Sequence, residues 1–217
     1  MNEKSGEVYS IAKENAPLPY CTVSKSVQEG KNSIGIFSLG ADTDISAETH
    51  PQGKLILAAL GDLNVFWKEG KEVSLKEEDA LILKGGETAG MKSKKGSVYT
   101  EVSLKKEDFM NPSIKAGEVF QLKDLLPYQE GKIVNMDIVK GDGMKFALLS
   151  FDKGTGLSEH AAPGEAIVFA LDGKGIIGYE GKEYPIEAGE NFHFAKGGKH
   201  YVKAVTPFKM ALLLTLE

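Results

Sequence analysis

The chain has 217 residues, a net charge of −5 at pH 7 and a hydrophobic content of 41%. A chain of this length can hold two domains of about 100 residues, each able to bury a core. Its acidic balance provides no basic face for a nucleic-acid backbone. The single cysteine, Cys21, excludes an intrachain disulfide and a thiolate metal cluster. No apolar run reaches the length of a signal peptide or a membrane span, so we expect a cytoplasmic protein without nucleic-acid or membrane partners.

A pattern in the first half of the chain recurs in the second half. The sequence Glu-Gly-Lys-Glu at residues 69–72 returns at 180–183, and Lys-Gly-Gly at 84–86 returns at 196–198. These repeats indicate one fold that is encoded twice. The second copy ends with a histidine where the first has a threonine, which places the expected chemistry mainly in the second copy.

Short apolar runs of strand length alternate with glycine-bearing turns in both copies, a texture typical of an all-β sandwich or barrel. The first copy, at residues 40–88, shows the same order of strands and turns as the second. Between the copies lies a connector at residues 105–127. Within it, apolar residues at helical spacing predict a short helix over 119–126, which a proline then ends.

The strands of the second copy are bounded by turn residues such as Asp-Gly and Glu-Gly. We predict them at residues 166–171, 175–179, 182–186, 191–194, 201–205 and 208–216. With the boundary in the connector, the domains are 1–110 and 111–217. The predicted fold is therefore all-β, with two tandem antiparallel β-barrels and a short helical connector.

Three of the four histidines, His160, His193 and His200, fall in the second copy. Neutral imidazole is the commonest protein ligand for zinc, iron, copper and nickel. His160 lies just before one predicted strand, and His200 lies at the beginning of another. If neighbouring strands place these two rings on the same face, a metal site can form between them.

At the end of the second copy, Gly189 is followed by Gly197 and then by His200. Their spacing is similar to the second conserved motif of the cupin superfamily, in which they occupy the two glycine positions and the histidine position. Ala195 replaces the motif's proline, and Ala204 replaces its asparagine. This resemblance covers both halves and implies two small barrels of the jelly-roll type, also called the double-stranded β-helix. Two such barrels in one chain form a bicupin, with the metal site of the family inside the barrel.

The first cupin motif is matched less fully in the second copy. His160 takes the place of the motif's second histidine, whereas Ser158 stands at the first. Glu165 lies at the spacing of the motif's glutamate from His160, but an alternative register puts Ala166 in that position. His193 lies two residues before the proline position and is a candidate for the missing ligand.

The resemblance thus implies a divalent metal, zinc, iron, manganese or nickel, bound by His160, His193 and His200. Ser158 and Glu165 are candidates for additional pocket residues. The alternative for His193 is a hydrogen-bonded histidine of the core.

In the first copy the corresponding positions hold Glu48, His50, Lys54 and either Thr88 or Ala89. A lysine ammonium repels a divalent cation. We therefore expect the first barrel to be structural or to bind an uncharged ligand without metal, so that its site is degenerate.

Two classes of function remain open from the sequence. One is a bicupin whose C-terminal barrel binds a divalent metal and a small polar organic ligand. If this bicupin is an enzyme, it is a metal-dependent oxygenase, isomerase or decarboxylase. The other is a metal-free module that binds a small ligand. A catalytic metal needs about three protein ligands, so the convergence of three nitrogen ligands decides between them. A homodimer is compatible with either.

Overall fold

The structure is a computed structural model that describes residues 1, 3–30 and 32–216. Its helices are α1 (Ile11–Glu14) and the 3₁₀ helix η1 (Leu122–Asp124). The strands before η1 are β1 (Val8–Tyr9), β2 (Thr22–Gln28), β3 (Ile34–Leu39), β4 (Thr43–Thr49), β5 (Gly53–Gly61), β6 (Leu63–Trp67), β7 (Glu72–Leu75), β8 (Asp79–Leu83), β9 (Thr88–Ser93), β10 (Ser97–Leu104), β11 (Phe109–Met110) and β12 (Val119–Gln121). Those after it are β13 (Ile133–Lys140), β14 (Met144–Phe151), β15 (Gly156–Ala161), β16 (Glu165–Asp172), β17 (Lys174–Tyr179), β18 (Lys182–Glu187), β19 (Asn191–Phe194), β20 (Lys199–Ala204) and β21 (Phe208–Thr215).

The strands form two barrels, each made of one large and one small sheet. In the N-terminal barrel, the large sheet has the order β12-β8-β5-β10-β3-β2 and the small sheet the order β4-β9-β6-β7. In the C-terminal barrel the large sheet has the order β1-β19-β16-β21-β14-β13-β11, and the small sheet the order β15-β20-β17-β18. Every described strand pair is antiparallel, which confirms the predicted all-β jelly-roll architecture.

The alternation of side chains along the strands produces three apolar cores. One core fills each barrel, between its large and its small sheet. The third lies between the barrels, where the outer faces of the two large sheets pack together. Strand β14 shows how one element serves two cores, because Phe146 and Leu148 face the other barrel while Ala147 and Leu149 line the interior of their own.

The six strands predicted for the second copy are confirmed as β16 to β21, and no boundary differs by more than two residues. Their register also fixes which residues of the two copies are equivalent. The pairing of β15 with β20 shifts between Leu157 and His160, and the pairing of β4 with β9 shifts between Ile45 and Glu48. Glu48 is therefore the equivalent of His160.

The prediction of a helix over residues 119–126 was wrong for most of this range. Val119–Gln121 form a strand that pairs with β8, and helical structure is limited to Leu122–Asp124. Helical spacing of apolar side chains does not outweigh the hydrogen bonds that an unpaired edge strand offers to the backbone.

Three short strands cross between the halves of the chain. β1 pairs with β19, β11 pairs with β13, and β12 pairs with β8. The predicted boundary between residues 110 and 111 thus falls between two strands that belong to opposite barrels. Among the described residues, no helix combines the length and apolarity needed to cross a bilayer.

Candidate functional site

A cavity of about 230 Å³ lies inside the C-terminal barrel. Its lining is largely apolar, with small and branched side chains from the large sheet and from the turn between β15 and β16: Ala147, Leu149, Ala162, Pro163, Ala166, Leu212 and Leu214. Three aromatic rings, those of His160, Phe194 and His200, form one side of it. Asn135, Asp137 and Lys145 are its other polar residues. A concave, mainly apolar space with a few polar groups is the usual form of a small-molecule site.

His160 and His200 meet at this cavity as direct cross-strand neighbours on β15 and β20. Their ring centroids are 4.2 Å apart. Phe194 stacks on the ring of His200 at a centroid distance of 4.0 Å. The predicted proximity of His160 and His200 is thus present in the structure, and Phe194 limits the positions that the His200 ring can take.

Hydrogen bonds define which ring nitrogen faces a ligand. The Nδ1 of His160 lies 2.9 Å from the carbonyl oxygen of Ser158, and the Nδ1 of His200 lies 3.0 Å from that of Gly198. A carbonyl oxygen can only accept, so each Nδ1 carries the proton and donates. In the neutral rings each Nε2 keeps its lone pair and can accept a hydrogen bond or bind a cation.

The pKa of His200 is lowered, mainly because burial removes water from the charged form. The hydrogen bond to Gly198 opposes this effect, and the neighbouring His160 adds to it. His200 is therefore uncharged at neutral pH. An uncharged ring in a largely apolar cavity presents an acceptor at Nε2 without the desolvation cost of a buried charge.

His193 does not join the other two histidines. Phe192 and Phe194 point into the barrel core, and alternation along β19 turns His193 to the opposite face of the sheet. There its Nδ1 donates to the carbonyl oxygen of Glu3 at 2.9 Å. The predicted set of three ligands is corrected to the pair His160 and His200, and His193 is a histidine buried beneath the N-terminal segment.

Ser158 and Glu165 also lie outside the cavity lining. Ser158 contributes its backbone carbonyl to His160, and the carboxylate of Glu165 pairs with the amino group of Met1. The residue that faces the cavity is Ala166. The alternative register of the first cupin motif is therefore the one observed, and it places a methyl group where the motif has its carboxylate.

These donors do not fit a divalent metal held by three protein ligands. Within residues 1, 3–30 and 32–216, no group of three or more His, Cys, Asp or Glu side chains is arranged to hold a metal ion. The cavity supplies two imidazoles, and its carboxylate, Asp137, is 2.8 Å from the ammonium of Lys145. Structural and catalytic zinc sites use three or four protein ligands.

The N-terminal barrel carries an ion pair in the equivalent region. Lys54 pairs with Leu83 and Ser103, as Ala166 pairs with Phe194 and Leu214, so Lys54 is the equivalent of Ala166. Its ammonium lies 2.8 Å from the carboxylate of Glu101.

Ala89, opposite Glu48, is the equivalent of His200, so His50 does not correspond to His160 as the motif comparison suggested. His50 instead lies 3.7 Å from the carboxylate of Glu48. The expectation that this barrel does not bind a cation stays a prediction, which the Lys54–Glu101 pair supports.

Sequence reasoning missed Asn135, Asp137 and Lys145. The alternation along β13 carried a usable signal, because Asn135 and Asp137 alternate with Val134, Met136 and Ile138. These three apolar residues pack in the core between the barrels, and Asn135 and Asp137 face the cavity. The polar face of the strand is therefore the inner one, the reverse of the usual arrangement at a barrel surface.

Acid is expected to destabilise the protein through His193. Its pKa is lowered, chiefly by burial, so the unfolded chain takes up a proton at a higher pH than the folded protein does. The stabilising contribution is complete above about pH 6.5, the unperturbed pKa of histidine, and is lost as the pH falls towards the folded pKa. Urea unfolding at pH 7 and pH 5 should therefore show a smaller decrease in the free energy of unfolding for His193→Gln than for the wild type. Equal decreases would contradict this assignment.

Comparisons with known proteins agree with this architecture. A family model described as "Cupin domain" matches residues 147–216, which include His160, His200 and most of the cavity lining. No curated protein matches the chain.

Among solved structures, a Cupin 2 conserved barrel domain protein from Leptotrichia buccalis superposes with a TM-score of 0.87 at 25% identity, covering 99% of this chain and 98% of that one. Salicylate 1,2-dioxygenase from Pseudoaminobacter salicylatoxidans, in adducts with gentisate, gives a TM-score of 0.66 at 12% identity, covering 96% of this chain and 80% of that one. A putative glyoxylate-induced protein from Pseudomonas aeruginosa gives 0.62 at 13% identity, covering 96% and 87%. The last two likenesses show the fold alone. Residues 147–216 thus match the cupin domain model, and the chain has the cupin fold.

Proposed function

We propose that the C-terminal barrel binds a small organic molecule through the paired imidazoles of His160 and His200, without a three-ligand metal centre. The observation that carries this proposal is the arrangement of the two rings. They are cross-strand neighbours at one cavity, and the Nδ1 of each is engaged by a backbone carbonyl. Two Nε2 acceptors beside an apolar space suit a ligand with an apolar body and a hydroxyl donor.

The size of the cavity agrees with a ligand of about one ring. An apolar cavity of about 150 Å³ is enough to admit benzene, and the cavity here measures about 230 Å³. Aromatic side chains in the lining, Phe194 among them, can contact a planar ligand edge to face or in an offset arrangement. A phenol is therefore a suitable probe, because it combines the ring with one hydroxyl group.

A second candidate function is that of a metal-dependent cupin enzyme, an oxygenase, isomerase or decarboxylase. The observation in its favour is that backbone carbonyls fix both Nδ1 atoms, as the outer partners of metal-binding histidines usually do. In this case zinc, iron, manganese or nickel would be held by two histidines, with the remaining positions filled by water or ligand. The absence of a carboxylate at Ala166 argues against it.

Replacing His200 by phenylalanine separates the two functions. This change keeps an aromatic ring against Phe194 and removes the acceptor, so phenol affinity should fall about fivefold to tenfold, the effect of losing one hydrogen bond of about 1 kcal/mol. Toluene, which cannot donate, should bind both proteins equally. Isothermal titration calorimetry measures both ligands, and His50→Phe in the N-terminal barrel is the matched control.

The same preparations, purified without a histidine tag, should be analysed for bound metal. Wild-type protein with less than stoichiometric metal supports the metal-free site. One equivalent of metal in the wild type that is lost in His200→Phe would contradict it and would establish the second candidate. We also propose, from composition and charge, that the protein works in the cytoplasm on a small molecule rather than on nucleic acid or a membrane.

A further inference from the structure

The cavity has a second polar end, away from the histidines. Asp137 on β13 and Lys145 on β14 both line it, and the ammonium of Lys145 lies 2.8 Å from the carboxylate of Asp137. Asn135, two residues before Asp137 on the same face of β13, also lines it. These residues play no part in the pairing of the imidazoles.

The strand register places the two polar ends on the same face of the large sheet, three strands apart. One row of direct cross-strand neighbours on β19, β16, β21 and β14 consists, in that order, of Phe194, Ala166, Leu214 and Lys145. Neighbouring strands are about 4.8 Å apart, so three steps separate the backbones of Phe194 and Lys145 by about 14 Å. Since His200 stacks on Phe194, the row runs from the imidazole end to the Lys145 end.

The surface between the two ends is apolar. Ala166 and Leu214 lie in the row, and Ala147 and Leu212 occupy the next row on the same face. A ligand that uses both ends therefore needs polar groups at its two extremities and an apolar middle. A single hydroxylated ring with a short charged arm has this form.

The charged groups at the far end favour an anionic arm. The Lys145 ammonium has three donors and gives one to the Oδ1 of Asp137, which leaves two for a ligand. Lys140 pairs directly with Lys145 across β13 and β14 but lines a different pocket, so Lys145 is the cation in the lining of this cavity. A cationic arm would find the single carboxylate of Asp137, one of whose oxygens already faces Lys145.

We infer that Lys145 is the anchor for a carboxylate, and that the ligand is a hydroxylated organic acid of about one ring. Its hydroxyl group donates to the imidazole pair, its ring covers Ala166 and Leu214, and its carboxylate meets Lys145. Asp137 positions the ammonium for that contact. This inference rests on the proposed function, because it assigns the ligand class of the same cavity.

Three probes of similar size test the inference by calorimetry: para-hydroxyphenylacetate, its neutral amide and the amine tyramine. Phenol is measured beside them as the ring without an arm. The acid should bind about tenfold to a hundredfold more tightly than the amide, the range expected for a hydrogen bond to a charged group. Tyramine should bind no better than the amide.

Lys145→Met should abolish the difference between acid and amide, because methionine keeps much of the length of the side chain and removes its charge. Lys203→Met is the matched control, since Lys203 lies on β20 outside the cavity lining, and it should keep the difference. Phenol should bind all three proteins equally.

The outcomes separate the two proposals. Suppose that phenol binds but the acid and the amide bind equally, or that Lys145→Met leaves the ratio of their affinities unchanged. Either result would contradict the role inferred for Lys145 and would leave the proposed ligand site unaffected. Tighter binding of tyramine than of the acid would also overturn the anionic class. If none of the four compounds binds the wild type, the proposed function fails, and the inference fails with it.

Discussion

Replacing Phe146 by alanine is expected to lower the free energy of unfolding by about 3–5 kcal/mol, the range for removing a fully buried phenylalanine. Phe146 is fully buried in the core between the two large sheets. Its ring meets Phe169 edge to face at a centroid distance of 6.4 Å. The substitution removes the ring from a region where neither sheet can collapse inward, because each is held by its own barrel.

Urea unfolding followed by circular dichroism measures this effect. Phe109→Ala is the matched control, because the Phe109 side chain is 52% exposed and its loss should cost less than about 1 kcal/mol. A loss below about 2 kcal/mol for Phe146→Ala would show that the core between the barrels contributes little to stability.

Replacing Glu101 by leucine should destabilise the protein by about 3 kcal/mol. This value is the low end of the range for breaking a buried ion pair, because each partner remains 13% exposed. The loss comes from Lys54, whose ammonium is left inside the barrel without its carboxylate.

The double variant Lys54→Ala with Glu101→Leu is the decisive comparison. It installs the residues that the C-terminal barrel has at the same positions, Ala166 and Leu212. Because an apolar pair can replace a buried ion pair without loss, its stability should lie within about 1 kcal/mol of the wild type. Thermal denaturation of wild type, single and double variants tests this, and a double variant as unstable as the single one would contradict it.

The fold was predictable because its signals are local. The strands from β16 to β21 each begin and end at glycine-bearing turns or polar breaks, and these breaks survive in both copies. The pairing of His160 with His200 was also predictable, since the cupin motifs fix which strands adjoin. Neither inference depended on the exact alternation of side chains within a strand.

The errors in the site came from that alternation. His193 lies between two phenylalanines that both occupy the barrel interior, so the histidine must face the other side. Glu165 and Ala166 differ by one position, and a shift of one residue exchanges the faces of a strand. Lys145 could not be located from its own sequence neighbours, because its contact with Asp137 depends on the register between β13 and β14.

The exchange of β1, β11 and β12 between the halves has a consequence for how this gene product could be divided. A polypeptide that stopped at residue 110 would contain β11 without β13, the strand with which it pairs. It would also leave β8 as an unpaired edge strand that is prone to aggregation. The remaining piece would in turn present β12 with nothing to dock on and would lack β1 along β19. Each piece thus carries a strand that pairs with a sheet of the other piece. The two pieces are therefore suited to a split reporter, in which the fold re-forms when the fragments bind each other.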